Sequence, residues 1–171
     1  MKKVAIAFAV SISFLSCTNN NKEEGVLSQE PYAPLTDSLQ QQPDDAGLYY
    51  RRGAMLYAAN EKKLAEADLK KAWDLQPVEA HALSVVTVLI DKHPDSALHF
   101  INKALQVLPK SVSLRLALAR GFQQKGEVEK AIATTDQILT AYPNSLDALL
   151  LKSELLKSEN LPVEDLSAER K

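Results

Sequence analysis

Four prolines, Pro43, Pro77, Pro109 and Pro143, stand at intervals of 34, 32 and 34 in a chain of 171 residues. A recurrence of that length marks a repeat architecture and constrains the fold more than any single motif. Proline fixes φ and carries no N–H, so each one ends a helix and opens a turn. Between the prolines the apolar residues keep helical spacing. In the unit 46–79, Tyr49, Gly53 and Leu56 share one face and Ala65, Leu69 and Ala72 share another, at the i, i+4, i+7 intervals of a buried stripe. Asn60 tolerates the left-handed backbone wanted between two such helices, and Asp44 and Asp45 are placed to cap the first. Each unit therefore reads as an antiparallel helix pair. Gly53 and Ala65 are small where the axes come closest, which suits the short end of the usual range of about 8–10 Å.

The unit 112–145 repeats the pattern with Leu118, Ala119, Phe122, a turn at Gly126, then Ala131, Ile138 and Pro143, although Arg115 and Thr135 occupy columns that are otherwise apolar. The middle unit, 80–111, keeps Leu83, Val86, Ile90, Ala97, Ile101, Ala104 and Pro109 but is two residues shorter between its helices, where His93 and Pro94 lie. Thr87 replaces the small residue of the first helix there, which predicts a wider pair. Residues 33–42 read as a lone second helix with Leu35 and Leu39 as its contacts. A further first helix, 146–158, reads as a cap, and 162–171 as a tail.

The segment Tyr49-Tyr50-Arg51-Arg52-Gly53, the Ala65, Leu69, Ala72 face and the closing Pro77 resemble a tetratricopeptide repeat (TPR), and the resemblance spans about residues 33–160. It implies an all-α fold, with helix-turn-helix repeats stacked as a short right-handed superhelix over 31–161. Its repeat-defining positions are Gly53, Ala65, Ala97, Ala119, Ala131, Pro77, Pro109 and Pro143. Three full repeats suffice to bury a continuous core, and Trp73 is expected to fill a gap between repeats.

Residues 1–17 have a separate character: Met-Lys-Lys, an apolar run from Val4 to Leu15, then Ser16 and Cys17. A run of about 12 residues is too short for a bilayer span, which needs roughly 20, and fits the h-region of a signal peptide. The single Cys, preceded by Phe14, Leu15 and Ser16 and followed by Thr18 and three Asn, resembles a bacterial lipobox. The resemblance implies cleavage before Cys17, removal of residues 1–16, acylation of Cys17 and an anchor in the membrane. Thr18 after the Cys favours the outer membrane, facing the periplasm or the cell surface. Residues 17–30 then read as a lipidated Cys with a flexible tether. Lys22, Glu23 and Glu24 within it read either as a solvated charge run or as resembling a surface-export signal of bacterial lipoproteins.

Charge and composition narrow the function. The chain has 20 basic and 22 acidic side chains, a net of −2, and losing Lys2 and Lys3 leaves 18 against 22, or −4. No strongly basic field points to nucleic acid. One Cys allows no internal disulfide, and no phosphate loop, nucleophile elbow or metal-ligand spacing is present, which gives no expected cofactor, metal or catalytic residue. His81, His93 and His99 fix no shared face. Arg51/Arg52, Lys62/Lys63 and Lys70/Lys71 are mixed with acids and read as a solvated surface.

What remains is recognition. By the TPR resemblance, first helices line a concave groove, and Tyr50, Tyr57, His81, Ser84, Val88, Asp91, Arg120, Gln123, Gln124 and Glu154 should face it. The chaperone-type TPR clamp uses a Lys and an Asn where this chain has Tyr50 and Ala54, so capture of a chaperone tail carboxylate is not expected. The expected role is a membrane-anchored adaptor or scaffold binding other envelope proteins. The alternative is an accessory subunit that positions an envelope enzyme or secretion machine.

Overall fold

The computed structural model describes Glu23 and residues 25–158, and among these residues the only regular structure is helical. After a helical stretch at residues 25–27, eight helices follow one another among the described residues: α1 (Ala33–Gln41), α2 (Ala46–Ala58), α3 (Lys62–Leu75), α4 (Glu79–Leu89), α5 (Pro94–Val107), α6 (Val112–Gln124), α7 (Val128–Ala141) and α8 (Leu146–Ser158). Local chemistry sets several of their ends. The Asp45 carboxylate accepts from Leu48 N–H at 3.0 Å, and the Ser111 hydroxyl accepts from Leu114 N–H at 3.0 Å, so α2 and α6 each begin on a side-chain cap. Pro94 starts α5, where a missing N–H costs no helical bond. The turns inside the first and third pairs use left-handed residues, Asn60 at φ 63° and Gly126 at φ 74°. Both types tolerate that region at low steric cost.

The pairs α2/α3, α4/α5 and α6/α7 stack in order, each second helix packing on the first helix of the following pair. The first helices α2, α4, α6 and α8 also contact one another down the stack and so form its inner wall. Gly53 makes the closest approach in the first pair: a Cβ there would lie 2.8 Å from Leu69 Cγ and 3.2 Å from Asp68 Cβ. Ala65, Ala97, Ala119 and Ala131 are all fully buried at the helix crossings, while Pro77, Pro109 and Pro143 lie exposed in the turns between pairs. The middle pair is the loosest of the three full pairs. Its first helix has 11 residues against 13 in α2 and α6, and Thr87 lies exposed on the inner wall instead of filling the α4/α5 crossing.

Leu56, Leu69, Val85, Ile101 and Leu114 form the buried spine, with Trp73 edge-on to Phe100 at 5.7 Å across the first repeat boundary. Trp73 thus fills the gap the sequence reading gave it. Because Ala65 sits at a helix crossing with no exposed surface, Ala65→Leu should overpack the α2/α3 pair. A loss of about 1–3 kcal/mol in urea unfolding is expected, and an unchanged midpoint would argue against this packing.

The ends of the stack differ. At the N-terminal end, Tyr32 and Leu39 are buried, and Val26 and Leu27 pack against the first core cluster. The expectation of a free tether to residue 30 therefore fails from Gly25 onward, because apolar Val26 and Leu27 and buried Tyr32 draw the segment onto the first pair. At the other end, Leu146 and Leu150 are 69% and 61% exposed one turn apart on α8, and no described helix covers them.

Polar links join neighbouring layers of the stack. Lys125 Nζ lies 2.5 Å from Asp95 and 3.0 Å from Glu127. Hydrogen bonds to those two carboxylates hold its ammonium above the ordinary lysine range, and Glu127 is held below the ordinary carboxylate range by Lys130 and Lys125. The Ser111 hydroxyl donates to Glu79. Lys152 is buried, and its ammonium forms an ion pair with Asp136 Oδ1 at 2.8 Å.

Candidate functional site

The inner wall of α2 and α4 carries a hollow of about 120 Å³ lined by Ala54, Tyr57, Leu69, Ser84 and Thr87. Its origin is small side chains: Ala54 on α2 faces Ser84 and Thr87 on α4, and nothing bulky bridges the helices. Leu69 from α3 supplies the floor and the Tyr57 ring one side. Ser84 Oγ donates to Ala80 O at 3.0 Å and Thr87 Oγ1 donates to Leu83 O at 2.9 Å. The hydroxyl hydrogens are thereby used within α4, which leaves oxygen lone pairs to accept from an incoming donor. No ionised group lines the hollow. It is suited to an apolar side chain with a neutral hydrogen-bonding rim.

The other expected groove residues divide into three groups. Tyr50 is half-buried and stacks on His81 with centroids 5.0 Å apart at 33°. His81 is only 7% exposed, and its Nδ1 bonds to the Gln76 carbonyl at 2.8 Å. Val88 is 4% exposed in the first core cluster. His81 and Val88 are therefore corrected from groove to core: the α4 face they occupy is packed by neighbouring helices. Asp91 is exposed at the end of α4, 3.7 Å from Lys62. Arg120 and Gln124 are exposed on α6, and Gln123 donates to Glu154 of α8 at 2.9 Å. Of the ten, only Tyr57 and Ser84 line the hollow. Cys17 lies outside the described residues.

Periodicity missed Ala54, Thr87 and Leu69 as the rest of the lining, although Thr87 in the Gly53 column and small Ala54 one position beyond it were a usable signal. It also missed a buried ionic cluster. Arg52, expected on a solvated face, donates from Nε to Asp68 Oδ2 at 2.7 Å and from Nη2 to Oδ1 at 2.9 Å, with both side chains 9% exposed. Its Nη1 donates to Thr36 Oγ1 at 2.9 Å, and Thr36 donates to Leu27 O at 2.7 Å. This chain of bonds holds the N-terminal segment and α1 to the first pair. The correction has a simple cause: α1 and α3 close over an arginine that α2 alone would leave in water. Among the described residues no group of three His, Cys, Asp or Glu could hold a metal ion.

Comparison with known proteins agrees with the fold. A tetratricopeptide repeat family model matches residues 88–155. No curated protein matches. Among solved structures, YrrB, described as a TPR protein with an unusual peptide-binding site, is similar with a TM-score of 0.59 and 17% identity, over 88% of this chain and 84% of that one. MamA is similar with a TM-score of 0.63 and 14% identity, over 90% and 89%. MamA from residue 41 onward from Desulfovibrio magneticus RS-1 gives 0.62 and 16%, over 88% and 87%. Residues 88–155 carry tetratricopeptide repeats, and the described residues fold as stacked helix pairs of the TPR kind.

Proposed function

We propose that this protein is a binding scaffold that takes an extended segment of a partner protein along its inner wall and seats an apolar side chain in the hollow beside Tyr57. The observation that carries this reading is the uncharged hollow between α2 and α4, with Ser84 and Thr87 as acceptors on its rim. Recognition in a preformed concave site needs an apolar pocket and a few placed polar groups, and both are present. The peptide-binding site named for YrrB, which shares the fold, supports the same class of role.

The anchored half of the proposal comes from Cys17 and the apolar run before it. Acylated at Cys17, the chain is a scaffold for other envelope proteins at the outer membrane. One acyl chain binds a bilayer only marginally and several bind it stably. Cys17→Ala should abolish incorporation of labelled palmitate and release the protein from membranes; tight membrane association without label would contradict the anchor.

Selection from a displayed peptide library tests the groove. Wild-type protein should enrich extended peptides that share an aliphatic residue, and Ser84→Phe, which fills the hollow, should enrich none while unfolding at the same midpoint. Equal enrichment by both would place recognition elsewhere.

A further inference from the structure

The face opposite the inner wall holds a wider recess of about 510 Å³, between α3 and α5. Leu89 and Phe100 are its apolar base, and Lys70, Ser96, His99 and Lys103 stand around it. The acids nearby are already engaged: Glu66 pairs with Lys70 at 2.6 Å, and Asp95 on the rim pairs with Lys125 at 2.5 Å. Among the described residues no ion pair engages Lys103 or His99. Ser96 lies in the first turn of α5, a 14-residue helix, where N–H groups lack helical acceptors and the helix dipole favours an anion. Cationic side chains over an apolar base suit an anionic group attached to a greasy body.

The path of the chain gives a second, independent observation. The Glu23 carboxylate accepts from Lys63 Nζ at 2.5 Å, which brings the N-terminal segment to the start of α3. Lys63 and Lys70 are seven residues apart on that helix, so they share a face and are separated by about 10 Å along its axis. Cys17 precedes Glu23 by six residues, and a chain of that length reaches at most about 20 Å. An anchor at Cys17 would therefore allow this face to lie close to the bilayer.

We propose that the recess between α3 and α5 takes the phosphate headgroup of an anionic membrane lipid. Lys103 and His99 meet the phosphate, Lys70, paired with Glu66, stands at its edge, and Leu89 and Phe100 meet the adjoining apolar part of the lipid. The choice of a lipid over soluble phosphate rests on the anchored reading of Cys17. Docked in this way, the scaffold lies with its second helices towards the membrane and its hollow open to partners.

The experiment is lysine footprinting of the protein purified from membranes and reconstituted in vesicles of phosphatidylcholine, alone or mixed with phosphatidylglycerol. Acetylation of Lys70 and Lys103 should slow about fivefold in the anionic vesicles, with exposed Lys157 on α8 unchanged. His99→Gln combined with Lys103→Gln should relieve the protection of Lys70. Equal rates in both vesicles would overturn the proposal. Equal protection by inorganic phosphate in phosphatidylcholine vesicles would assign the recess to a soluble anion and overturn the lipid. The mass of the N-terminal peptide reads acylation of Cys17 in the same sample. Protection of Lys70 and Lys103 without acyl mass would sustain the recess as a lipid site and overturn the anchor.

Discussion

Asp68→Ala is expected to destabilise the protein by about 3–5 kcal/mol, because it leaves the Arg52 guanidinium charged, buried and without its bidentate partner. Thr36 would remain as a single neutral acceptor, and α1 would be held less firmly. Replacing both members by apolar residues of similar volume, Arg52→Met with Asp68→Leu, should recover most of that loss. The contrast separates the cost of an orphaned charge from any direct value of the pair. Urea unfolding of the two variants beside wild type measures it. A single variant as stable as wild type would mean that water reaches Arg52 and the cluster is not closed.

Leu56→Ala should cost about 2–5 kcal/mol, since its side chain is fully buried where α2 meets the first core cluster and the cavity left behind is closed on all sides. Leu150→Ala, which removes the same atoms from a position 61% exposed on α8, should change stability by no more than about 0.5 kcal/mol. The two leucines are alike in composition and differ only in their place in the stack. Comparable losses at both would mean that the face of α8 is covered.

The fold was legible because a stacked helix pair writes itself at fixed intervals. The prolines mark the turns, the small residues mark the crossings, and Asn60 and Gly126 mark the left-handed bends, each through a backbone constraint that acts within a few residues. The site was less legible because it depends on which face of a helix its neighbours leave open. His81 and Val88 share a helix with Ser84 and Thr87, and only the packing around α4 sends two into the core and two to the wall. Arg52 reads as a surface residue until α1 and α3 close over it. Gly121 is similar: a Cβ there would lie 2.6 Å from Leu98 Cδ2 of the preceding pair, a constraint that no spacing within its own repeat reveals.

The central claim, that the protein holds a partner at the hollow of its inner wall, is tested most directly by a photo-crosslinking amino acid placed at Thr87 in the full chain and activated in living cells. The account predicts a discrete protein adduct at Thr87 that disappears with Ser84→Phe, and none from the same probe at Gln106, which is exposed on the second helix of that pair. An adduct that persists with the hollow filled, or that forms only from Gln106, would contradict it.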